Sequence, residues 1–298
     1  MALNVAADRL APMAEVKGRS LWADAWRRLL RNKAAVASMV ILAVIALTAV
    51  FAPLLSPHAF DEVFWDRIAT PPDPADAFWF GTDGNGRDLF VRTLYGARVS
   101  LAVGVAATLV SLVIGVAYGA VAGFVGGKTD ELMMRLVDVL YSLPFMFFVI
   151  ILVVVFGRHI VLIFVALGAV EWLTMARIVR GQTLSIRRRE FVEAAQAAGV
   201  RTWKIIARHV VPNVMGPVIV YVTLTVPEVI IIESFLSFLG LGVQEPYTSW
   251  GVLISEGAQQ MESASWMLIF PAAFLAVTLF CFNFIGDGLR DALDPKDR

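Results

Sequence analysis

The stretch EFVEAAQAAGVRTWKIIARHVVPN at residues 190–213 reads as two short helices meeting at a glycine. Phe191, Ala194, Ala195 and Ala198 recur at i, i+3, i+4 and i+7, and Trp203, Ile206 and Val210 repeat that face after Gly199. Gly199 suits a left-handed residue that closes the first helix, and Pro212 with Asn213 is expected to end the second. A charged hairpin of this kind is ordinary in a soluble protein. Here it interrupts a chain of 298 residues that is 58% hydrophobic and 17% charged, with a mean hydropathy of +0.73. That is the composition of a polytopic membrane protein.

Working outward, six apolar runs are long enough to cross a bilayer, at about 34–55, 99–125, 136–156, 160–179, 214–238 and 266–287. Pro217 and Pro227 mark the fifth for a bend or a split. The first 33 residues are polar, so the first run reads as a retained anchor and not as a signal peptide. Lys and Arg number 7 in residues 1–33, 2 in 126–135, 8 in 177–208 and 3 in 288–298, against 4, 1 and 0 in the alternate connections. The positive-inside rule then predicts an all-α integral membrane protein of six transmembrane helices, N-in and C-in, with the hairpin in the cytoplasm. The expected organisation is a cytoplasmic arm over 1–33, a first span and extracytoplasmic loop over 34–98, a five-span core over 99–290 and a cytoplasmic tail over 291–298. Cys281 is the single cysteine, so no intrachain disulfide forms.

Two connections are expected outside. Residues 56–98 open with a Pro- and Asp-rich loop and turn helical from Arg87, where Asp88 and Arg92 have the i, i+4 spacing of an ion pair. Residues 240–265 hold a short amphipathic helix with Trp250, Leu253, Ile254 and Met261 on one side. The hairpin itself has two readings: a helix pair lying on the inner leaflet, which Arg201, Lys204 and Arg208 would suit, or an element that docks on another protein. Its alanine-lined face favours docking, because a lipid anchor wants bulk.

Ionisable residues within apolar runs are functional candidates, since exposing them to lipid costs a few kcal/mol. Asp138 and Asp287 fall near inner ends. Glu171 is placed to pair with a neighbouring helix. Glu228 and Glu233 lie five residues apart beside Pro227, either lining a polar cavity on the translocation path, or bonding helices to one another, or lying nearer the outer surface. His58, His159 and His209 are too scattered for a metal site. The sequence GGKT at 126–129 imitates the tail of a phosphate loop, but the pattern needs glycine where Ala122 stands and a strand where a span stands. Neither His-Glu-x-x-His nor Gly-x-Ser-x-Gly occurs, so a membrane hydrolase is disfavoured. Any ATP hydrolysis must come from a partner.

EAAQAAG at 193–199 followed by HVVPN at 209–213 resembles the EAA loop of permease subunits of binding-protein-dependent ABC importers. Glu193, Ala194, Ala195, Gly199 and Pro212 match that loop, while His209 and Val211 stand where the general pattern has Ile and Leu. The His-x-x-Pro-Asn ending resembles the peptide branch of the family. FGTDGNGRDLFVRTLYGARVSL (80–101), SFLGLGVQEPYTSWG (237–251) and TLFCFNFIGDGLRDALDPK (278–296) are similar to the C-type permease of oligopeptide and dipeptide importers, the last most like the oligopeptide version.

The resemblance runs from about residue 20 onward and implies a type I importer core in a bacterial inner membrane. Implied partners are a second homologous permease, two ATP-binding subunits and an extracytoplasmic peptide-binding protein, with ATP and Mg on the ATPases and no cofactor on this chain. It also implies an ATPase-coupling role for Glu193, Ala194, Ala195, Ala198, Gly199, His209, Pro212 and Asn213. Glu193 would bond or cap at the docking face, the alanines would allow close approach, Gly199 would set the turn, and Pro212 with Asn213 would join lever to span. The cargo implied is oligopeptide, with dipeptides, glutathione and metal chelates as alternatives within the family. An ion-coupled secondary transporter would use Glu228 and Glu233 and have no need of the hairpin.

Overall fold

The computed structural model describes residues 21–157 and 160–293. Most of the expected N-terminal arm, His159 and the end of the expected tail lie outside the described residues. The described chain is nearly all helix. In order it forms α1 (Leu21–Arg31), α2 (Lys33–Val50), α3 (Ala52–Leu55), α4 (Leu89–Val125), α5 (Gly127–Ser142), α6 (Phe145–Phe156), α7 (Ile160–Arg187), α8 (Glu190–Ala197), α9 (Thr202–Ile205), α10 (Val211–Phe238), α11 (Trp250–Gln259) and α12 (Trp266–Leu293).

Lys33–Val50, Leu89–Val125, Thr202–Phe238 and Trp266–Leu293 are each long and apolar enough to cross a membrane, and α5 with α6 reaches that length and hydropathy only as a pair, bent by 77°. The bend was expected in the fifth run and occurs in the third. Leu143 precedes Pro144 and is pushed out of the helical region to φ −72°, ψ 132°, which breaks the chain there. Pro217 and Pro227 instead sit inside α10, which stays a single helix. The separate helix expected from Arg87 is also absent: α4 runs 37 residues without interruption. At 1.5 Å per residue it is about 55 Å long, well beyond the roughly 30 Å hydrocarbon layer.

The seam between α4 and α7 organises the bundle. Gly115, Gly119 and Gly123 recur every four residues on α4, and a Cβ at these positions would meet Met175 (2.5 Å), the Ala176 carbonyl and the Arg180 carbonyl (2.8 Å). Backbones therefore touch where side chains would hold them apart, the small-residue packing that associates helices in lipid. Val110 lies against Gly168 near the start of this seam and Gly123 against Thr183 near its end, so α4 and α7 run in the same direction.

Helix ends are finished locally. Asn32 caps α2 by accepting from Ala34 N and Ala35 N, and Asp88 caps α4 by accepting from Phe90 N. Arg98 donates to the Ala49 carbonyl and, at 2.7 Å, to the Val50 carbonyl, placing a cation on the negative end of α2. At the other end of the bundle, α1 packs Ala25 and Leu29 on Ala35 and Ala292, so the starts of the described chain and of α2 lie beside the end of α12.

Candidate functional site

The hairpin stands at the end of the bundle where α4 and α7 finish. Val192 of α8, Ile205 of α9 and Val210 join Val116, Ala120 and Phe124 of α4, Met175 and Val179 of α7, and Val214 and Val218 of α10 in one buried cluster. The hairpin is therefore seated on three long helices and does not hang from a flexible loop. Its turn closes as a Schellman motif. Gly199 N donates to Gln196 O at 2.9 Å and Val200 N to Ala195 O at 3.1 Å, with Gly199 at φ +73°. No atom lies within 4 Å of a Cβ added to Gly199, so backbone handedness and not crowding selects glycine there.

The outward face of α8 consists of Glu190, Glu193, Ala194, Ala197 and Ala198, all exposed at helical spacing. Ala195 departs from the expected stripe. It is partly buried and packs with Val200 against the core cluster, because it falls on the same side as Val192. Glu190 and Glu193 occupy the first turn of α8, where the helix dipole favours acidic side chains. His209 is half-buried with its ring 6.3 Å from that of Phe191, so it closes the two arms of the hairpin on each other.

Pro212 and Asn213 do not end the second helix. The chain passes from α9 through a π-helical turn at Ile206–Val210 straight into α10. Pro212 has no N–H to give the preceding turn, and the wider turn absorbs the mismatch: Val211 N bonds to Ile206 O, five residues back. Asn213 Nδ2 donates to the His209 carbonyl at 2.6 Å. The second arm of the hairpin and the span thus form one continuous rod.

The three intramembrane carboxylates separate into two sites. Glu228 and Glu233 are five residues apart, about 140° around a helix, so they cannot share a face. Glu233 is fully buried; it accepts from Ser237 Oγ at 2.7 Å and Ser100 Oγ at 3.3 Å, and Ser237 in turn contacts Ser249. That network ties α4, α10 and α11 together. Glu228 instead lines a cavity of about 290 Å³ with Glu171 of α7. Of the flanking residues, Asp138 accepts from Arg177 Nη2 at 2.8 Å.

The loop end carries a second polar cluster. The expected Asp88–Arg92 pair does not form, because the Asp88 side chain is taken up by the α4 N-terminus, by Ser56 Oγ at 3.0 Å and by His58 Nδ1 at 3.0 Å. Arg92 turns to Asp83 at 3.1 Å and Glu256 at 3.8 Å, while Arg87 binds Asp83 at 2.7 Å and Glu245 at 2.8 Å. Helix α11 completes the cap. Trp250 and Leu253 share one side of α11 and are buried in the bundle, with Trp250 Nε1 donating to Thr93 O at 3.2 Å, whereas Met261 lies past the end of the helix and is exposed. Burial pushes the Glu256 carboxyl above its ordinary range, with Arg92 pulling it back. Among the described residues no group of His, Cys, Asp or Glu side chains is arranged to hold a metal.

Sequence reading missed the glycine ladder of α4 and the Asp83–Arg92 pairing. Glycine every fourth residue inside an apolar run is a readable signal for the first; nothing in the spacing of residues 83 and 92 announces the second.

The described chain is thus a bundle of long apolar helices with a polar hairpin whose second arm is fused to one of them. Residues 115–298 match the family described as "Binding-protein-dependent transport system inner membrane component", and residues 20–72 match the "N-terminal TM domain of oligopeptide transport permease C". The chain belongs to this family of bacterial inner-membrane permeases, to which the EAA loop also belongs. It is 59% identical over 292 residues to the oligopeptide transport system permease protein OppC of Haemophilus influenzae, covering 98% of this chain and 94% of that one. With the OppC of Escherichia coli it shares 61% identity over 284 residues, covering 95% and 94%. The inward-facing MetNI methionine ABC transporter has the same fold, with a TM-score of 0.55 at 18% identity, over 69% of this chain and 96% of that one.

Proposed function

We propose that this permease forms half of a peptide path, paired with a second homologous permease and served by two ATP-binding subunits and an extracytoplasmic binding protein. The cargo is oligopeptide, in keeping with the two OppC relatives at 59% and 61% identity. Six passages, N-in and C-in, place the hairpin and its surrounding Arg and Lys residues in the cytoplasm, where an ATPase can reach them. ATP and Mg reside on that partner.

The observation that carries this reading is the exposed Glu193, Ala194, Ala197 and Ala198 face on a hairpin continuous with α10. A permease without a motor shifts between inward- and outward-open states only if its partner binds the two states differently. The alanines let a partner approach closely, Glu193 offers a hydrogen-bonding or charge contact at the rim, and the rod from Thr202 to Phe238 carries the shift into the span. Glu233, held by three serines, serves helix packing in this reading.

Uptake of labelled di-, tri- and pentapeptides by cells with and without this chain tests the proposal. Loss of tri- and pentapeptide uptake on deletion, with an ATPase subunit co-purifying with the chain, is the expected result. Uptake that follows the proton gradient with no ATPase partner would sink it in favour of a secondary transporter.

A further inference from the structure

We propose that the cavity between the α5–α6 break, α7 and α10 is a subsite for the α-ammonium group of the transported peptide, bound by Glu171 and Glu228. This deepens the functional reading above and rests on it.

The cavity holds about 290 Å³ and brings together carboxylates from two helices, Glu171 of α7 and Glu228 of α10. Its walls are otherwise mostly apolar, with Leu143, Phe148 and Ile232 among them and the Tyr141 ring at one side. Glu171 is only 7% exposed and has no hydrogen bond or ion pair among the described residues. A buried carboxylate left without a donor is costly, and a second carboxylate facing the same space adds repulsion. Arg177, on the same helix as Glu171, does not answer them: it binds Asp138 at 2.8 Å and lies over the Tyr141 ring at 4.3 Å. One cation entering the cavity would relieve both costs at once.

Size and charge choose the cation. A space of this volume lies at the small end of ligand pockets and takes the end of a peptide, not its length. Unmodified peptides of any sequence share two charged ends, and an acidic cavity repels the carboxylate end. The α-ammonium is therefore the group such a cavity recognises without reading side chains, which suits a path that serves varied peptides.

The test uses the assembled importer with its binding protein, carrying Thr174→Cys in this chain, a position on the cavity wall that leaves both glutamates in place. The native Cys281 is buried at 4% exposure, so small thiol reagents mark the introduced thiol, read by the mass of this chain. Cationic 2-aminoethyl methanethiosulfonate is expected to react about tenfold faster than its anionic 2-sulfonatoethyl analogue, because Glu171 and Glu228 concentrate cations in the cavity. Adding Glu171→Gln and Glu228→Gln together is expected to remove most of that preference. Saturating trialanine is expected to slow modification, and N-acetyl-trialanine to leave it unchanged.

Equal rates for the two reagents would overturn the proposal. So would equal protection by both peptides, or no reaction at all, which would mean that a partner subunit fills the cavity. Trialanine uptake by the unsubstituted importer is measured in parallel. Its absence would indict the functional reading, while normal uptake with any overturning result would indict the subsite alone.

Discussion

The two ends of the bundle handle polar groups in opposite ways. At the loop end, Asp83, Arg87 and Arg92 are buried and engaged with one another and with Glu245 and Glu256, while α11 closes over them through Trp250. At the hairpin end, the buried contacts are aliphatic, and Glu190, Glu193 and three alanines face outward. The loop end has directed its charged groups inward. The hairpin end has buried only its inner face, and its outer face is the one proposed above to receive the ATPase.

Breaking the loop end should therefore damage folding most. Asp83→Ala leaves Arg87 and Arg92 buried without their shared acceptor, an expected loss of about 3–5 kcal/mol, visible as poor yield and a lowered melting temperature in detergent. Next in size, Gly199→Val forces a β-branched residue to φ +73°, at a local cost of about 1–3 kcal/mol. Because nothing crowds that site, the subunit should still insert, while co-purification of the ATPase and peptide uptake fall together.

A smaller effect belongs to Glu256. Its carboxyl is raised above the ordinary range, first by burial. A group whose folded value lies above its unfolded value favours the fold most at low pH, and that contribution is lost as pH rises through the folded value. Glu256→Gln should flatten the corresponding slope in melting temperature above about pH 4.

The smallest stability effect sharpens the contrast most. Ala194→Arg on the exposed face should change stability by no more than about 0.5 kcal/mol and yet abolish uptake. Ala195→Arg, one residue away but turned to the core, should lower the melting temperature as well. Equal melting temperatures for the two would mean that the inner and outer faces of α8 are wrongly assigned.

Residues 190–213 were legible because their signals are local. Helical spacing, a glycine at a C-terminus and the charge of the flanks are properties of adjacent residues, and the Schellman turn at Gly199 follows from them. The fate of Pro212 was not legible. Whether a proline ends a helix or is absorbed by a π-helical turn depends on what holds the flanking turns, here Ile205 and Val210 against α4 and α7. Asp88 and Arg92 show the same limit: their spacing permits a pair, but Ser56, His58 and a helix N-terminus compete for Asp88.

Composition and periodicity, acting along the chain, settled that this is an all-helical membrane protein with a polar hairpin between apolar runs. Only the tertiary structure decided which carboxylates meet. Glu228 and Glu233 are neighbours in sequence but point about 140° apart around one helix, and packing of the α4 glycines against α7 helps set where Glu171 lies. A partner 57 positions away in the chain is fixed by how backbones approach in space, and no pattern within either helix encodes that distance.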